Sequence, residues 1–205
     1  MEITLQNIGR RFNREWIFRG IDYSFNEAES YAILGANGSG KSTLVQIVAS
    51  NLSPSEGNIT YTFKGEALEV ENVFKHLSFA SPYLELVEDF TLTEIIDFHF
   101  GFKEYLQGFD NKEIINLLGF EKYRNRCIKN FSSGMKQRVK LALAFCSSSP
   151  ILLLDEPTAN LDNQGIDWYL SLISRFSQNR LTLICSNQEH EYSFCKKRLN
   201  VQDYK

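Results

Sequence analysis

The 205-residue sequence predicts an α/β fold organised around a phosphate-binding loop, on three observations. A glycine-rich stretch, Gly35-Ala36-Asn37-Gly38-Ser39-Gly40-Lys41-Ser42-Thr43, stands between the strand-like run Tyr31 to Leu34 and the helix-like run Leu44 to Ala49. A second apolar run, Ile151 to Leu154, ends in the acidic pair Asp155-Glu156. Between them, from about Leu84 to Phe145, the apolar residues leave strand alternation for helical spacing.

Residues 2–34 alternate as strands do: Ile3, Leu5 and Ile8, then Trp16 to Phe25, then Tyr31 to Leu34, with Asn26 to Glu29 as a polar turn. This predicts an antiparallel β region feeding the loop. Glycines at 35, 38 and 40 permit positive φ and let backbone N–H groups converge on an anion. Lys41 adds a cation at the phosphate end. The helix starting near Lys41 aims its free N–H groups and positive dipole end at the same point, and Ser42 is placed to ligate the Mg²⁺ that accompanies a nucleotide. The pattern is a Walker A loop; on these residues alone, a βα turn without a ligand is the competing interpretation.

Past the first helix, Leu52 to Gly57 is a turn and Asn58 to Phe63 returns as a strand rich in β-branched and aromatic residues. Leu77 to Ala80 is a further strand, closed by Ser81-Pro82. In the helical stretch, Thr93 is the expected N-cap ahead of Glu94 to Phe98, and Asn111 to Leu118 forms a second amphipathic piece. Phe98, Phe100, Phe102 and Phe109 are expected in the core of this lobe, with a partner-docking surface as the alternative. Ser132-Ser133-Gly134 precede a long helix running to Phe145, so hydroxyl and backbone donors meet at an anion-receptive helix start; an ordinary serine cap would look the same.

Four consecutive apolar residues, Ile151 to Leu154, suit a strand buried on both faces of a parallel sheet, where ligands bind at the carboxyl ends. Asp155 there can hold Mg²⁺ through its water shell, and Glu156 can orient and deprotonate a water attacking a γ-phosphate; two solvated loop acids are the plainer alternative. Asp162 caps a helix with the apolar stripe Ile166, Tyr169, Leu170, Ile173 and Phe176. Arg180 to Cys185 is a last buried strand ending in Ser186-Asn187, and the tail with Lys196-Lys197-Arg198 is expected to be a closing solvated segment.

The composition narrows the function classes. A net charge of −3 argues against a nucleic-acid partner held by bulk electrostatics. Cys127, Cys146, Cys185 and Cys195 lie without metal-ligand spacing or a disulfide framework and are expected to fill apolar sites in a reducing compartment. Neither a signal peptide nor a membrane span is legible, so a cytoplasmic protein that reaches a membrane through a partner is expected.

Taken in order, these motifs resemble the nucleotide-binding domain of ATP-binding cassette (ABC) proteins over nearly the whole chain, an α/β P-loop NTPase with a mixed sheet core, an N-terminal antiparallel β region and an inserted helical lobe. Gly35 to Ser42 matches Walker A, Ser132 to Met135 the Ser-Gly-Gly-Gln signature, Ile151 to Glu156 Walker B with its glutamate, and Ala159 to Asp162 the D-loop. Phe12 falls where the family carries an aromatic that stacks on adenine. The resemblance implies one cassette with a core of about 1–83 and 146–205 and a helical lobe of about 84–145, binding ATP and Mg²⁺. It implies a homo- or heterodimer in which the signature of one chain closes over the γ-phosphate held by the other, and a transmembrane permease docked on the lobe, which keeps the chain peripheral on the inner membrane face.

Two departures matter. The family histidine after the last strand is replaced here by Asn187, which donates hydrogen bonds but does not titrate near neutral pH. The family glutamine that links the metal to the lobe aligns with Ser81, whose side chain reaches a metal only through water. His190, three residues past Asn187, is expected to be an exposed loop histidine. Ser133 replaces the first signature glycine and Met135 the glutamine, while Ser132 and Gly134 remain. The leading expectation is the ATPase subunit of a membrane transporter, similar in size to short exporters such as the heme-exporter ATPase. The alternative is a regulatory or scaffold cassette that closes on ATP and turns it over slowly, while a soluble repair or translation ATPase is disfavoured because no coiled-coil insertion or second cassette is present.

Overall fold

A computed structural model describes residues 1–205 of the chain. The alternation of the first 25 residues folds into two long strands, β1 (Glu2–Phe12) and β2 (Glu15–Phe25), paired antiparallel with Ile3 opposite Phe25 and Ile8 opposite Ile21. β4 (Glu56–Phe63) pairs antiparallel on the other side of β1, and a short β5 (Glu66–Leu68) pairs with β4, giving the order β2-β1-β4-β5. Ile3, Leu5, Ile8, Phe18, Ile21 and Phe25 are buried together, as period-two alternation requires of a sheet with one covered face.

β3 (Ser30–Leu34) does not join this antiparallel region, as its position in the sequence predicted, but takes an inner position in a second sheet. The order there is β6-β7-β8-β3-β9, with β6 (Leu77–Ala80), β7 (Ile151–Asp155), β8 (Leu181–Cys185) and β9 (Lys197–Asn200). β3 runs parallel to β8 and β9, and β7 parallel to β8. Tyr31, Ala32 and Ile33 are all buried, so β3 is covered on both faces, the signature of a central parallel strand. The tail expected to be solvated supplies β9: Leu199 is buried, while Lys197 stays at the surface in an ion pair with Glu29 at 2.9 Å. Helix α1 (Lys41–Val48) packs Leu44, Val45, Ile47 and Val48 into the same core, each burial contributing about 1.5–3 kcal/mol. The Tyr61 hydroxyl reaches the carbonyls of Ile47 and Val48 and so satisfies the end of α1.

These elements belong to one compact unit, Met1–Phe79 with Pro150–Glu156 and Asn179–Lys205; a second comprises Ala80–Ser149 and Pro157–Gln178. The second unit therefore holds the expected helical stretch, 84–145, together with 157–178. It is built from α2 (Leu92–Phe100), α3 (Asn111–Leu118), α4 (Ser133–Phe145) and α5 (Asn163–Phe176) around Leu92, Ile96, Ile114, Leu118, Val139 and Ala142. α5 is tied in by Trp168, whose indole N–H donates to Leu117 O at 3.1 Å and whose ring lies under the Arg138 guanidinium at 4.7 Å.

Three local expectations change here. The N-cap of α2 is Thr91, not Thr93: Thr91 and Glu94 exchange side-chain and backbone bonds in a capping box, which needs the three-residue spacing that Thr93 lacks. On α5 the inward residue is Leu172, and Leu170 is exposed. Of the four phenylalanines, Phe100 stacks on Tyr105 at 3.8 Å and Phe109 meets Phe176 at 5.5 Å, but Phe98 and Phe102 are 49% and 69% exposed.

Candidate functional site

Three neighbouring strands of the parallel sheet, β7, β8 and β3, deliver the predicted residues of the first unit at their carboxyl ends. Ile33 of β3 and Asp155 of β7 both stand level with Cys185 of β8, so the loops after all three strands leave the sheet on one edge. The phosphate loop follows β3, Asp155 and Glu156 close β7, and Ser186 and Asn187 follow β8.

Within the loop, Gly40 is the N-cap of α1 with φ of 101°, and a Cβ there would run into Ile17 and Phe18 of β2. α1 has no side-chain cap, so its first N–H groups remain available to an anion at Lys41, Ser42 and Thr43. Lys41 is almost wholly buried, and its Nζ donates to Gly35 O at 2.9 Å and Ala36 O at 3.3 Å, which holds the ammonium over the loop. Ser39 is buried with a hydroxyl that has no hydrogen-bond partner. Gly38 and Asn37 form the exposed turn of the loop.

Asp155 is 0% exposed, and its carboxylate oxygens have no hydrogen-bond partner stronger than the adjacent Cys185 thiol. The neighbouring Cys185 thiol is a weak donor; burial and then the Asp155 carboxylate push it well above the usual thiol range. A buried carboxylate without a strong partner is costly, and a hard divalent cation is the ligand that answers it. Asp155 with the Ser42 hydroxyl therefore fits Mg²⁺, which is held by one or two carboxylates plus substrate phosphates rather than by a full protein cage. Glu156 adopts φ of 43°, unusual for a residue with a Cβ, and is fixed by its N–H bond to Cys185 O at 2.8 Å. Such strain, of order 1–3 kcal/mol, persists where surrounding structure over-determines it.

Asn187 is brought to the loop: its side-chain N–H₂ donates to Asn37 Oδ1 at 2.7 Å. His190 is not the exposed loop histidine expected but lies half-buried on the short helix α6 (Glu189–Tyr192). Phe12 ends β1 at 48% exposure, with the Arg10 guanidinium 4.6 Å over its ring.

The remaining predicted residues lie on the second unit. Ser132 is the N-cap of α4 and accepts from Met135 N at 3.2 Å, with Ser133 exposed beside it. A Cβ on Gly134 would stand 2.8 Å from Asn160 O, so glycine is what lets the signature turn approach the 157–162 segment. Asp162 caps α5, as predicted, by accepting from Gly165 N at 2.8 Å. Ser81 is buried; its hydroxyl accepts from Tyr83 N at 3.3 Å and its carbonyl accepts from Lys140. Sequence reasoning passed over Gln137 and Lys140. Gln137 is buried and donates to Pro157 O at 3.0 Å, and the available signal for both was a polar residue recurring three positions apart, on one side of the helix.

Comparison with known proteins places this geometry. Residues 18–159 match the sequence profile described as ABC transporter. The chain is 27% identical over 190 residues to an uncharacterized ABC transporter ATP-binding protein, YybJ, of Bacillus subtilis, covering 92% of this chain and 86% of that one. It is 29% identical over 220 residues to the putative hemin import ATP-binding protein HrtA of Staphylococcus haemolyticus, covering 100% and 99% of the two. Among solved structures, a putative ABC transporter ATP-binding protein from Pyrococcus furiosus superposes with a TM-score of 0.81 at 18% identity, covering 100% and 99%. A dimeric ATP-binding cassette bound to ADP and Pi gives a TM-score of 0.83 at 20% identity, covering 97% of this chain and 93% of that one.

Proposed function

The chain belongs to the ABC transporter family, and from that premise we propose that it is the subunit that binds and hydrolyses ATP for a membrane transporter, dimerising on ATP to drive a separate permease. The observation that carries the proposal is the Asp155 carboxylate, wholly buried with no donor stronger than a thiol, at the sheet edge that also bears the phosphate loop. ATP is the substrate. The backbone of Gly35 to Thr43 and the Lys41 ammonium hold its phosphates, and the exposed Phe12 ring takes the adenine. Ser42 and Asp155 would hold Mg²⁺, which when bound would neutralise phosphate charge. Glu156 orients the attacking water and takes its proton, and Asn187, carried on the Asn37 amide, donates toward the γ-phosphate. Ser132 and Gly134 act on the nucleotide of the partner chain, so each subunit completes the other's site.

No helix is long and apolar enough to cross a membrane. We place the chain on the cytoplasmic face of the membrane through its permease, with the contact at the exposed rings of Phe98 and Phe102, 5.4 Å apart on the helical unit. A second reading, a regulatory cassette with weak turnover, draws support from Asn187, an uncharged amide tied to the phosphate loop where the family carries a titratable group.

Turnover of ATP with Mg²⁺ by the purified protein, with Lys41→Ala and Glu156→Gln alongside and sizing to follow dimers, tests the proposal. Glu156→Gln is expected to slow turnover by about 10²–10⁴-fold while ATP stays bound and the dimer persists. Turnover unchanged in Glu156→Gln removes Glu156 from its role, and ATP binding without turnover above the variants favours the regulatory reading.

A further inference from the structure

Lys136 and Lys140 stand one turn apart on α4, so both side chains leave the same side of the signature helix. Lys140 is half-buried, and its Nζ donates to the carbonyls of Ser81 at 3.3 Å and Pro82 at 2.7 Å. Lys136 pairs with the Glu88 carboxylate. Both ends of the 81–88 segment are thus held by one helix face. The segment and the helix share a cavity of about 420 Å³, to which Leu84, Leu86, Ser133 and Gln137 contribute. On its other side α4 meets the 157–162 segment, through Gly134 against Asn160 O and Gln137 donating to Pro157 O. The helix that opens with the signature is therefore the hub between two segments that the resemblance to ABC cassettes ties to nucleotide chemistry.

The two ties differ in kind. Burial, then the neighbouring Lys136 charge, hold the Lys140 ammonium below the usual lysine range, with Glu85 pulling the other way. Its bonds are charge-assisted and partly shielded from water, whereas the Lys136–Glu88 pair is largely exposed on the carboxylate side. The link also runs through main-chain carbonyls, so it does not depend on the side chain at position 81, which is only a serine.

We propose that Lys140, with Lys136 as a weaker second tie, is a positioning residue that locks the Ser81–Glu88 segment to the signature helix, so that a displacement of either carries the other. This rests on the ATPase reading above and assigns the mechanical link between Ser81 and the signature to a side chain of α4. Tyr83, 74% exposed in the middle of the segment, would then be the place where a contact from outside is felt at Ser132 and Gly134.

The test uses the whole chain and two measurements. Hydrogen exchange without nucleotide reads the tie directly: amides of Tyr83 to Glu88 are expected to exchange about tenfold faster in Lys140→Met than in the unmodified protein, and less than about threefold faster in Lys136→Met. Steady-state kinetics read its role: kcat is expected to fall by about tenfold in Lys140→Met with KM for ATP within about twofold, and Lys140→Arg, which keeps the charge and the donors, to recover most of the loss. Lys140→Gln serves both comparisons if Lys140→Met does not fold. Exchange unchanged in the neutral variant overturns the tie, and faster exchange with unchanged kcat overturns the positioning role. Absence of turnover in the unmodified protein would count against the ATPase reading, and the exchange comparison would still decide the tie.

Discussion

Replacing Asp155 by asparagine should stabilise the nucleotide-free protein while removing its response to MgATP. The carboxylate is fully buried at the end of β7, and its neighbouring donor is the weak Cys185 thiol; the Lys41 ammonium is committed to Gly35 O and Ala36 O. Asparagine keeps the shape, and its neutral amide carries a smaller desolvation cost than the charge. Recovery of about 1–3 kcal/mol is the expected scale for relieving a buried group without a strong partner. At roughly 2–4 °C per kcal/mol for a chain of this size, a 2 kcal/mol gain raises the transition of the unit carrying β7 by about 4–8 °C. With MgATP at about 100 times its Kd, the unmodified protein should gain roughly 2.7 kcal/mol by mass action, and Asp155→Asn little of it. Thermal unfolding in chelator and then in MgATP makes both comparisons. A lower melting temperature for Asp155→Asn in chelator would refute the reasoning, because it would mean that the folded protein itself satisfies the carboxylate.

Three further outcomes follow from the second unit. His99 is half-buried, with Nε2 2.9 Å from the Ser147 hydroxyl, which spends its own hydrogen on Leu143 O; burial and then the Lys103 charge lower its pKa from 6.5 to about 4. The unfolded chain thus takes up the proton first as pH falls, so this contribution is complete above about pH 6.5 and is lost towards pH 4, up to about 3 kcal/mol. Urea denaturation at pH 7 and pH 4.5 should show a smaller difference in His99→Gln. Gly134→Ala places a Cβ 2.8 Å from Asn160 O and should cost about 1–3 kcal/mol by overpacking, measured by urea unfolding. Thr91→Ala removes half of the capping box on α2 and should cost about 1 kcal/mol in the same assay.

What could be read from the sequence was local. Gly35 to Thr43 stands out as a candidate phosphate loop because backbone freedom, a cation and a helix start fall within nine consecutive residues, and Asp155-Glu156 stands out because a fully apolar strand ends there. Asp162 was legible as a cap for the same reason: capping acts within one turn. Even local chemistry misled at Thr93, where the three-residue spacing to Glu94 belongs to Thr91.

What the tertiary structure alone decided concerns residues whose partners are distant along the chain. Lys197 to Asn200 looked like a solvated tail because its charges are plain and its pairing with Tyr31 to Leu34 is not; backbone hydrogen bonding is blind to side-chain identity, so an edge strand of this kind leaves little pattern. Phe98 and Phe102 follow the same helical spacing as core residues, and only packing shows that nothing in the chain covers their outer faces. The bond from Asn187 to Asn37 spans 150 positions and the bonds from Lys140 to Ser81 and Pro82 span 59 and 58. Hydrogen bonds need groups within about 3 Å, and no periodicity along the chain encodes which distant carbonyl a lysine will find. The sequence by itself therefore marked the candidate phosphate loop and its acidic neighbours, and the fold decided how those groups are held, buried and tied to one another.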